Sequence, residues 1–250
     1  MALQEELESQ GNWLFRYRSL LPLAILPIGI LAQVLVIRTS AWSFLAILPY
    51  WPVYESICLA VSLLGVFVRI YTVGYTPVGT SGRNTARQVA DSLNTTGIYS
   101  VVRHPLYLGN FLMWLGIAML TCSVGFVAAF IPVYWLYYER IMYAEEQYLN
   151  RKFGHIYQEW ARQTPAIVPR ISQFVPSRLH FFWKKAVKKE KNGVFALFLL
   201  FSLFDGLTAW QVKAITVNYV LIVMALATGL AYVVLKYLKK YTTLLDEQGR

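Results

Sequence analysis

Thirty-three consecutive residues, Leu106 to Tyr138, carry no charged side chain, and this run constrains the fold more than any other feature of the chain. As one helix at ~1.5 Å per residue it would rise about 50 Å, against a hydrocarbon layer of roughly 30 Å. Two short helices meeting near Thr121, Cys122 and Ser123 remove the mismatch. Four more apolar segments have span length or nearly so: Leu20 to Ile37, Val53 to Tyr71, Val194 to Trp210 and Val217 to Leu235. Hydrophobic residues make up 57% of the chain, charged residues 14%, and mean hydropathy is +0.45, outside the balance of a soluble domain. The expected fold is all-α, a polytopic membrane protein of about six transmembrane helices including a short helical hairpin, forming a single membrane domain over residues 1–250.

Positive charge orients this bundle, because Lys and Arg in short loops collect on the cytosolic side. Of 23 Lys and Arg residues, 20 fall on one face, Arg69 lies just inside the second span, and only Arg38 and Lys213 belong to the other face. Both termini and the Arg103 loop are therefore expected in the cytosol. The start, Met-Ala-Leu-Gln-Glu-Glu-Leu-Glu, lacks the basic and apolar regions of a secretory signal, so cleavage is not expected. Cys58 and Cys122 sit in apolar runs without metal-ligand or redox spacing and read as buried free thiols. Asn94-Thr95-Thr96 matches a glycosylation acceptor, but a cytosolic loop does not meet that machinery. The run Lys184 to Lys191 reads as a juxtamembrane patch for anionic headgroups.

Polar chemistry concentrates at the mouth of the long apolar run. Gly97 to Gly109 read Gly-Ile-Tyr-Ser-Val-Val-Arg-His-Pro-Leu-Tyr-Leu-Gly, and an Arg at a span centre costs roughly 2.5–3.5 kcal/mol, so a charge near the bilayer is usually kept for a task. The preceding segment, Thr72 to Val102, carries four glycines with Asn84, Gln88, Asp91, Ser92 and Asn94, a composition suited to a loop that folds over a ligand. After the hairpin, Glu139 to Pro169 has helical character around Glu145 and Glu146. Phe153, Tyr157 and Trp160 then fall at i, i+4 and i+7 on one expected helical face. No Gly-x-Gly-x-x-Gly follows an expected strand, which argues against a soluble Rossmann-type cofactor site.

The joint order of Arg-His-Pro-x-Tyr-x-Gly after Gly-x-Tyr, an apolar hairpin, Glu-Glu-x-x-Leu, Phe-Gly-x-x-Tyr and spaced prolines resembles the membrane methyltransferase family that contains isoprenylcysteine carboxyl methyltransferases and phospholipid methyltransferases. The resemblance covers about Asn84 to Pro169, a core motif region at 84–169, and leaves an additional C-terminal helical hairpin at 194–240. It implies a cytosolic pocket for S-adenosylmethionine, released as S-adenosylhomocysteine, with the acceptor lipid entering from the bilayer. Asn84, Asp91, Ser92, Leu93, Asn94, Tyr99, His104, Pro105, Leu106, Tyr107 and Glu145 match the family's cofactor contacts. The family's substrate-side arginine falls at Ile141, with Arg140 adjacent, and Trp160 stands where a tyrosine is commoner. In this reading Glu145 pairs with the cofactor's ammonium, aromatic rings face the sulfonium, and Arg103 and Arg140 hold an anionic acceptor oxygen. Such a transfer needs no metal and no covalent enzyme intermediate.

A net charge of +10, gathered on the cytosolic face, favours an anionic acceptor headgroup over an amine. The run Ser81 to Gly97 is similar to bacterial members, which favours a lipid A type phosphate and the bacterial inner membrane. An isoprenylcysteine carboxylate, phosphatidylethanolamine and the endoplasmic reticulum are the alternatives. Expected partners are a membrane lipid or lipidated substrate and bilayer lipids, without nucleic acid, and the last two helices offer a wider lateral groove or a dimer surface. Two other classes stay open. A sterol-reductase-like NADPH enzyme would want Arg and Lys where Glu145 stands, and a noncatalytic membrane protein such as a transporter would want ionisable groups inside several spans, whereas the spans read as nearly charge-free.

Overall fold

The computed structural model describes residues 2–18, 20–77, 88, 90–213 and 215–245. Among these the architecture is all-α, as expected. The helices are α1 (Leu3–Tyr17), α2 (Leu21–Arg38), α3 (Trp42–Ile47), α4 (Trp51–Gly74), α5 (Pro105–Met119), α6 (Val124–Phe153), α7 (His155–Gln163), α8 (Trp183–Gln211) and α9 (Tyr219–Tyr241). Three apolar stretches, Trp42–Gly74, Trp183–Gln211 and Tyr219–Tyr241, are long enough to cross a membrane, and Leu23–Arg38 and Pro105–Met119 are shorter apolar helices. A polytopic membrane protein accounts for all five.

The charge-free run folds as the two-helix expectation requires. α5 ends at Met119, a tight turn carries Cys122 at φ +53°, and the Ser123 hydroxyl accepts from the Phe126 amide to cap α6. α5 lies against α4 because glycines leave no side chain between them. A Cβ on Gly65 would collide with the Gly109 carbonyl and Met113, and one on Gly116 with Ser62 and the Cys58 carbonyl. The seam is then sealed by hydroxyls, with Ser62 donating to the Met113 carbonyl at 2.8 Å and Tyr54 to the Met119 carbonyl at 2.6 Å. One apolar core joins α4, α5 and α8 around Cys58, Leu120, Phe201 and Phe204; a second joins α1, α5 and α6 around Phe15, Tyr107, Tyr134 and Ile141. Cys58 and Cys122 are buried free thiols.

Several boundaries differ from the sequence expectation. The segment before the second span is helical from Trp42, broken only by a 3-10 turn at Leu48–Tyr50 that contains Pro49. α6 does not stop at Tyr138 but continues through the acidic pair to Phe153, so Glu145 and Glu146 ride on a rigid extension of the hairpin beyond its apolar part. Gly154, at φ +53°, then breaks the chain before α7, so Phe153 does not share one helical face with Tyr157 and Trp160. α8 starts at Trp183, so the basic run Lys184 to Lys191 forms its first turns and is not simply a headgroup-facing patch. Lys185 is 2% exposed and donates to the carbonyls of Thr76 at 2.6 Å and Pro77 at 2.9 Å, capping the end of α4. The N-terminal arm is itself a helix, α1, which packs Gly11 against the Arg140 carbonyl and Ala144 and pairs Glu8 with Arg151.

Both described termini reach one end of the bundle. α1 lies along the last turns of α6, and the Leu245 carbonyl accepts from Lys188 near the start of α8. The same end carries the Arg103 turn, and it is called the near end below. The far end holds the α2–α3 and α8–α9 connections.

Candidate functional site

The start of α5 is fastened from outside the helix. Gly97, at φ +62°, bridges to Val175, its amide donating to the Val175 carbonyl at 2.8 Å. The Arg103 amide donates to the Pro165 carbonyl, the Arg170 amide to the Val101 carbonyl, each at 2.9 Å, and the Trp160 indole to the Tyr99 carbonyl at 3.1 Å. The chain after α7, with its spaced prolines, thus straps down residues 97–103 and fixes where His104 points. Pro105 occupies the first helical position of α5, where no amide donor is needed.

Around His104 the side chains converge. Its Nε2 lies 2.9 Å from Glu146 Oε1 and its Nδ1 3.7 Å from Glu145 Oε2. The imidazole stacks on Tyr107 with ring centroids 5.9 Å apart, and the Tyr107 hydroxyl donates to Glu145 Oε1 at 2.7 Å. Arg103 donates to Glu146 Oε2 at 3.2 Å. Below this layer Tyr134 donates to the Tyr107 carbonyl at 2.8 Å, and Tyr138 lies 4.8 Å from the Tyr107 ring, which leaves Tyr107 little freedom.

The two glutamates are neighbours in sequence but not in electrostatics. Burial raises Glu146, yet the His104 hydrogen bond and the charges of His104 and Arg103 outweigh it and hold the carboxyl below the usual carboxylate range. For Glu145 burial wins. Desolvation holds its carboxyl above the usual range despite His104, the Tyr107 hydroxyl and Arg18. Its side chain keeps 25% of its exposure, and no Arg or Lys among the described residues stands within ion-pair distance of it. His104 lies closer to Glu146, at 2.9 Å, than to Glu145, at 3.7 Å, and Arg103 reaches only Glu146, so Glu145 is the less well matched carboxylate of the two. Tyr99 adjoins it: burial, with the Glu145 charge second, pushes the phenol up.

The expected site residues divide as follows. His104, Pro105, Tyr107, Tyr99 and Glu145 come together, and Leu106 follows in the first turn of α5. Asp91, Ser92, Leu93 and Asn94 form a coil leading into Gly97, the first two exposed, and no hydrogen bond among the described residues ties them to the cluster. Asn84 lies outside the described residues. Arg103 is in the cluster but is engaged by Glu146 instead of standing clear for an acceptor. Arg140 is turned away: its Nε donates to Gln10 Oε1 at 3.0 Å and its Nη1 to the Leu136 carbonyl, because its face of α6 is the one α1 covers.

Three participants were not foreseen. Glu146 is the fixed partner of both His104 and Arg103. Arg18, at the end of α1 with its guanidinium 3.8 Å from the Phe15 ring centre, bears electrostatically on Glu145 and Tyr107. Arg69 makes a two-point pair with Glu190 at 2.7 and 2.8 Å and donates to Asn110 at 2.6 Å, tying α4, α5 and α8 beneath the site. Only the adjacency of Glu145 and Glu146 gave any sequence signal.

Comparison with known proteins agrees with this region. Residues 54–156 match the phospholipid methyltransferase family. The chain is 36% identical over 118 residues to a nickel-cobalt-cadmium resistance protein of Alcaligenes xylosoxydans xylosoxydans, covering 46% of this chain and 52% of that one. It is 40% identical over 88 residues to protein-S-isoprenylcysteine O-methyltransferase B of Arabidopsis thaliana, covering 34% and 44%. It is 30% identical over 125 residues to protein-S-isoprenylcysteine O-methyltransferase of Schizosaccharomyces pombe, covering 48% and 51%. The chain thus spans about half the length of the curated relatives it matches. No solved structure matches it.

Proposed function

Because residues 54–156 match the phospholipid methyltransferase family, we propose that this chain is a membrane methyltransferase that transfers a methyl group from S-adenosylmethionine to an anionic oxygen on a membrane lipid or lipidated molecule. The observation that carries this is Glu145, a carboxylate whose side chain keeps 25% of its exposure and which has no Arg or Lys within ion-pair distance among the described residues, set beside Glu146, which Arg103 and His104 hold at 3.2 and 2.9 Å.

The donor set fits a cationic cofactor. Glu145 Oε2 is the oxygen not taken by Tyr107, and it would hold an ammonium; Tyr99 and Tyr107 present aromatic rings beside it. When bound, S-adenosylmethionine supplies an electrophilic methyl carbon on a sulfonium. This chain's own residues supply alignment. Glu146 locks the His104 ring, His104 and Tyr107 fix the Glu145 carboxylate, and the 165–175 strap holds the turn that carries them. With Arg140 turned onto α1, the cations that bear on this site among the described residues are Arg103, held in place by Glu146, and Arg18. An acceptor already ionised as a carboxylate or phosphate needs no general base. A dinucleotide phosphate would meet Glu145 as a like charge, which opposes the reductase reading.

Within this reading the near end faces the cytosol, where the positive charge of the chain gathers. A lipid A type phosphate and an isoprenylcysteine carboxylate are the two acceptors to distinguish. Purified protein incubated with methyl-labelled S-adenosylmethionine and a total lipid extract should yield one labelled lipid whose mass identifies the acceptor. Labelling that is absent, or unchanged when Arg18 and Arg103 are both replaced by alanine, contradicts the assignment.

A further inference from the structure

The far end holds a second polar cluster, outside the methyl-transfer site and unforeseen from a sequence whose spans read as nearly charge-free. Glu55, in the second turn of α4, is 3% exposed, and Asp205, in α8, is 1% exposed. Both are bound by one residue, Asn218, which caps the start of α9: its Nδ2 donates to Glu55 Oε2 and its backbone amide to Asp205 Oδ2, each at 2.7 Å. Asn218 thus holds the two carboxyl groups side by side, close enough for each to bear electrostatically on the other. Glu55 lies 14 residues before Arg69 on the same helix, about 21 Å from the near-end layer.

Several buried polar atoms here have no partner among the described residues. Glu55 Oε1 and Asp205 Oδ1, the two oxygens Asn218 does not serve, are both buried and unpartnered, and so are Gln33 Oε1 and the Trp51 indole nitrogen. Gln33, fully buried on α2, straddles Asp205 by donating to the Phe204 carbonyl at 3.1 Å and the Thr208 hydroxyl at 2.8 Å. Trp51 stands one turn before Glu55 on α4, in the apolar cluster against which Val212 and Ile215 pack. The other titratable groups facing Glu55 are Tyr54 and Cys58 on α4, with Cys122 from the α5–α6 turn beyond them. α2 and the α8–α9 connection offer only Arg38 and Lys213, both exposed, and among the described residues no cation pairs with either carboxyl. Two ionised carboxylates gathered on one asparagine and buried at 3% and 1% exposure, without a cation among the described residues, are not a stable arrangement.

We propose that Glu55 and Asp205 form a proton-binding site in which a single proton, taken from water at the far face, bridges Glu55 Oε1 and Asp205 Oδ1. One proton turns two unpartnered acceptors into one hydrogen bond and leaves a single negative charge, which the Asn218 amide and side chain already serve. The pair then acts as a clasp. It holds the start of α9 to α4 and α8 while protonated and loosens the α8–α9 connection when the proton leaves.

Infrared difference spectroscopy on the full chain in detergent micelles tests this. At neutral pH the wild type minus the Glu55→Gln, Asp205→Asn double variant should show the carbonyl stretch of a protonated carboxylic acid, shifted in deuterated water. Glu55→Gln alone mimics the protonated acid, so it should melt no lower than wild type and lose the wild type's fall in melting temperature at alkaline pH; Glu55→Ala should melt lower. Absence of the carbonyl band, or a Glu55→Gln variant as destabilised as Glu55→Ala, overturns the proposal. So does a melting temperature raised by added sodium or calcium and lost on their removal, which would make the missing partner a metal cation.

Discussion

The near and far ends of this bundle each bury carboxylates, and they treat them in opposite ways. At the near end Glu190 has Arg69 and Glu146 has Arg103 and His104, while Glu145, partly exposed, has no Arg or Lys within ion-pair distance among the described residues. At the far end Glu55 and Asp205 are buried and pair with no cation among the described residues. The contrast separates three uses of a buried acid. With a matched cation it is structure; poorly matched and partly exposed, it suits the cationic ligand proposed for Glu145; unmatched and sealed, it suits the proton proposed for the far end.

Stripping the cation from the best-matched acid is the strongest way to break this comparison. Arg69→Met leaves Glu190 unpaired in an apolar layer and should cost about 3–5 kcal/mol, and Arg69→Met with Glu190→Met should recover most of it. Urea denaturation in micelles measures both. Gly65→Ala tests the scaffold common to the two ends; driving a methyl into the Gly109 carbonyl should cost about 1–3 kcal/mol by the same assay and move neither cluster chemically. Glu146→Gln removes a partly exposed pair and should cost only about 1 kcal/mol. That cost depends on pH in a definite sense. Because Glu146 is held below the usual carboxylate range, its contribution is present above that range and fades as pH falls through the lowered value, so the variant's deficit should vanish in acid. Glu145 runs the other way: held above the usual range, it favours the fold at low pH and loses that contribution as pH rises through the raised value. Glu145→Gln should therefore be no less stable than wild type at neutral pH in the absence of cofactor. The smallest effect belongs to Arg140→Ala, within ±0.5 kcal/mol in stability and with turnover unchanged, since its partners are Gln10 and a backbone carbonyl.

The hairpin was legible because its signal is local. Thirty-three uncharged residues cannot be one span, and Thr121, Cys122 and Ser123 mark the turn. The convergence of His104 and Glu145 followed from motif order, with α6 running straight enough to carry the acid back over the start of α5. What escaped depends on partners far apart in sequence. Arg69 meets Glu190 across 121 positions and Glu55 meets Asn218 across 163, so each looked like a stray charge in an apolar run. The Arg140 reading failed on helical phase: five positions from Glu145, it lies on the face that α1 covers, and nothing in the residues 3–17 announced that a helix would cover it.

The central claim is that Glu145, and not Glu146, is the carboxylate reserved for a cationic ligand. Titration calorimetry of S-adenosylmethionine on micelle-solubilised wild type, Glu145→Gln and Glu146→Gln decides it. Loss of a charged hydrogen bond worth about 1.5–3 kcal/mol predicts binding roughly 10- to 100-fold weaker for Glu145→Gln, with a smaller loss for Glu146→Gln. Equal affinity for wild type and Glu145→Gln, with the variant folded, would contradict it.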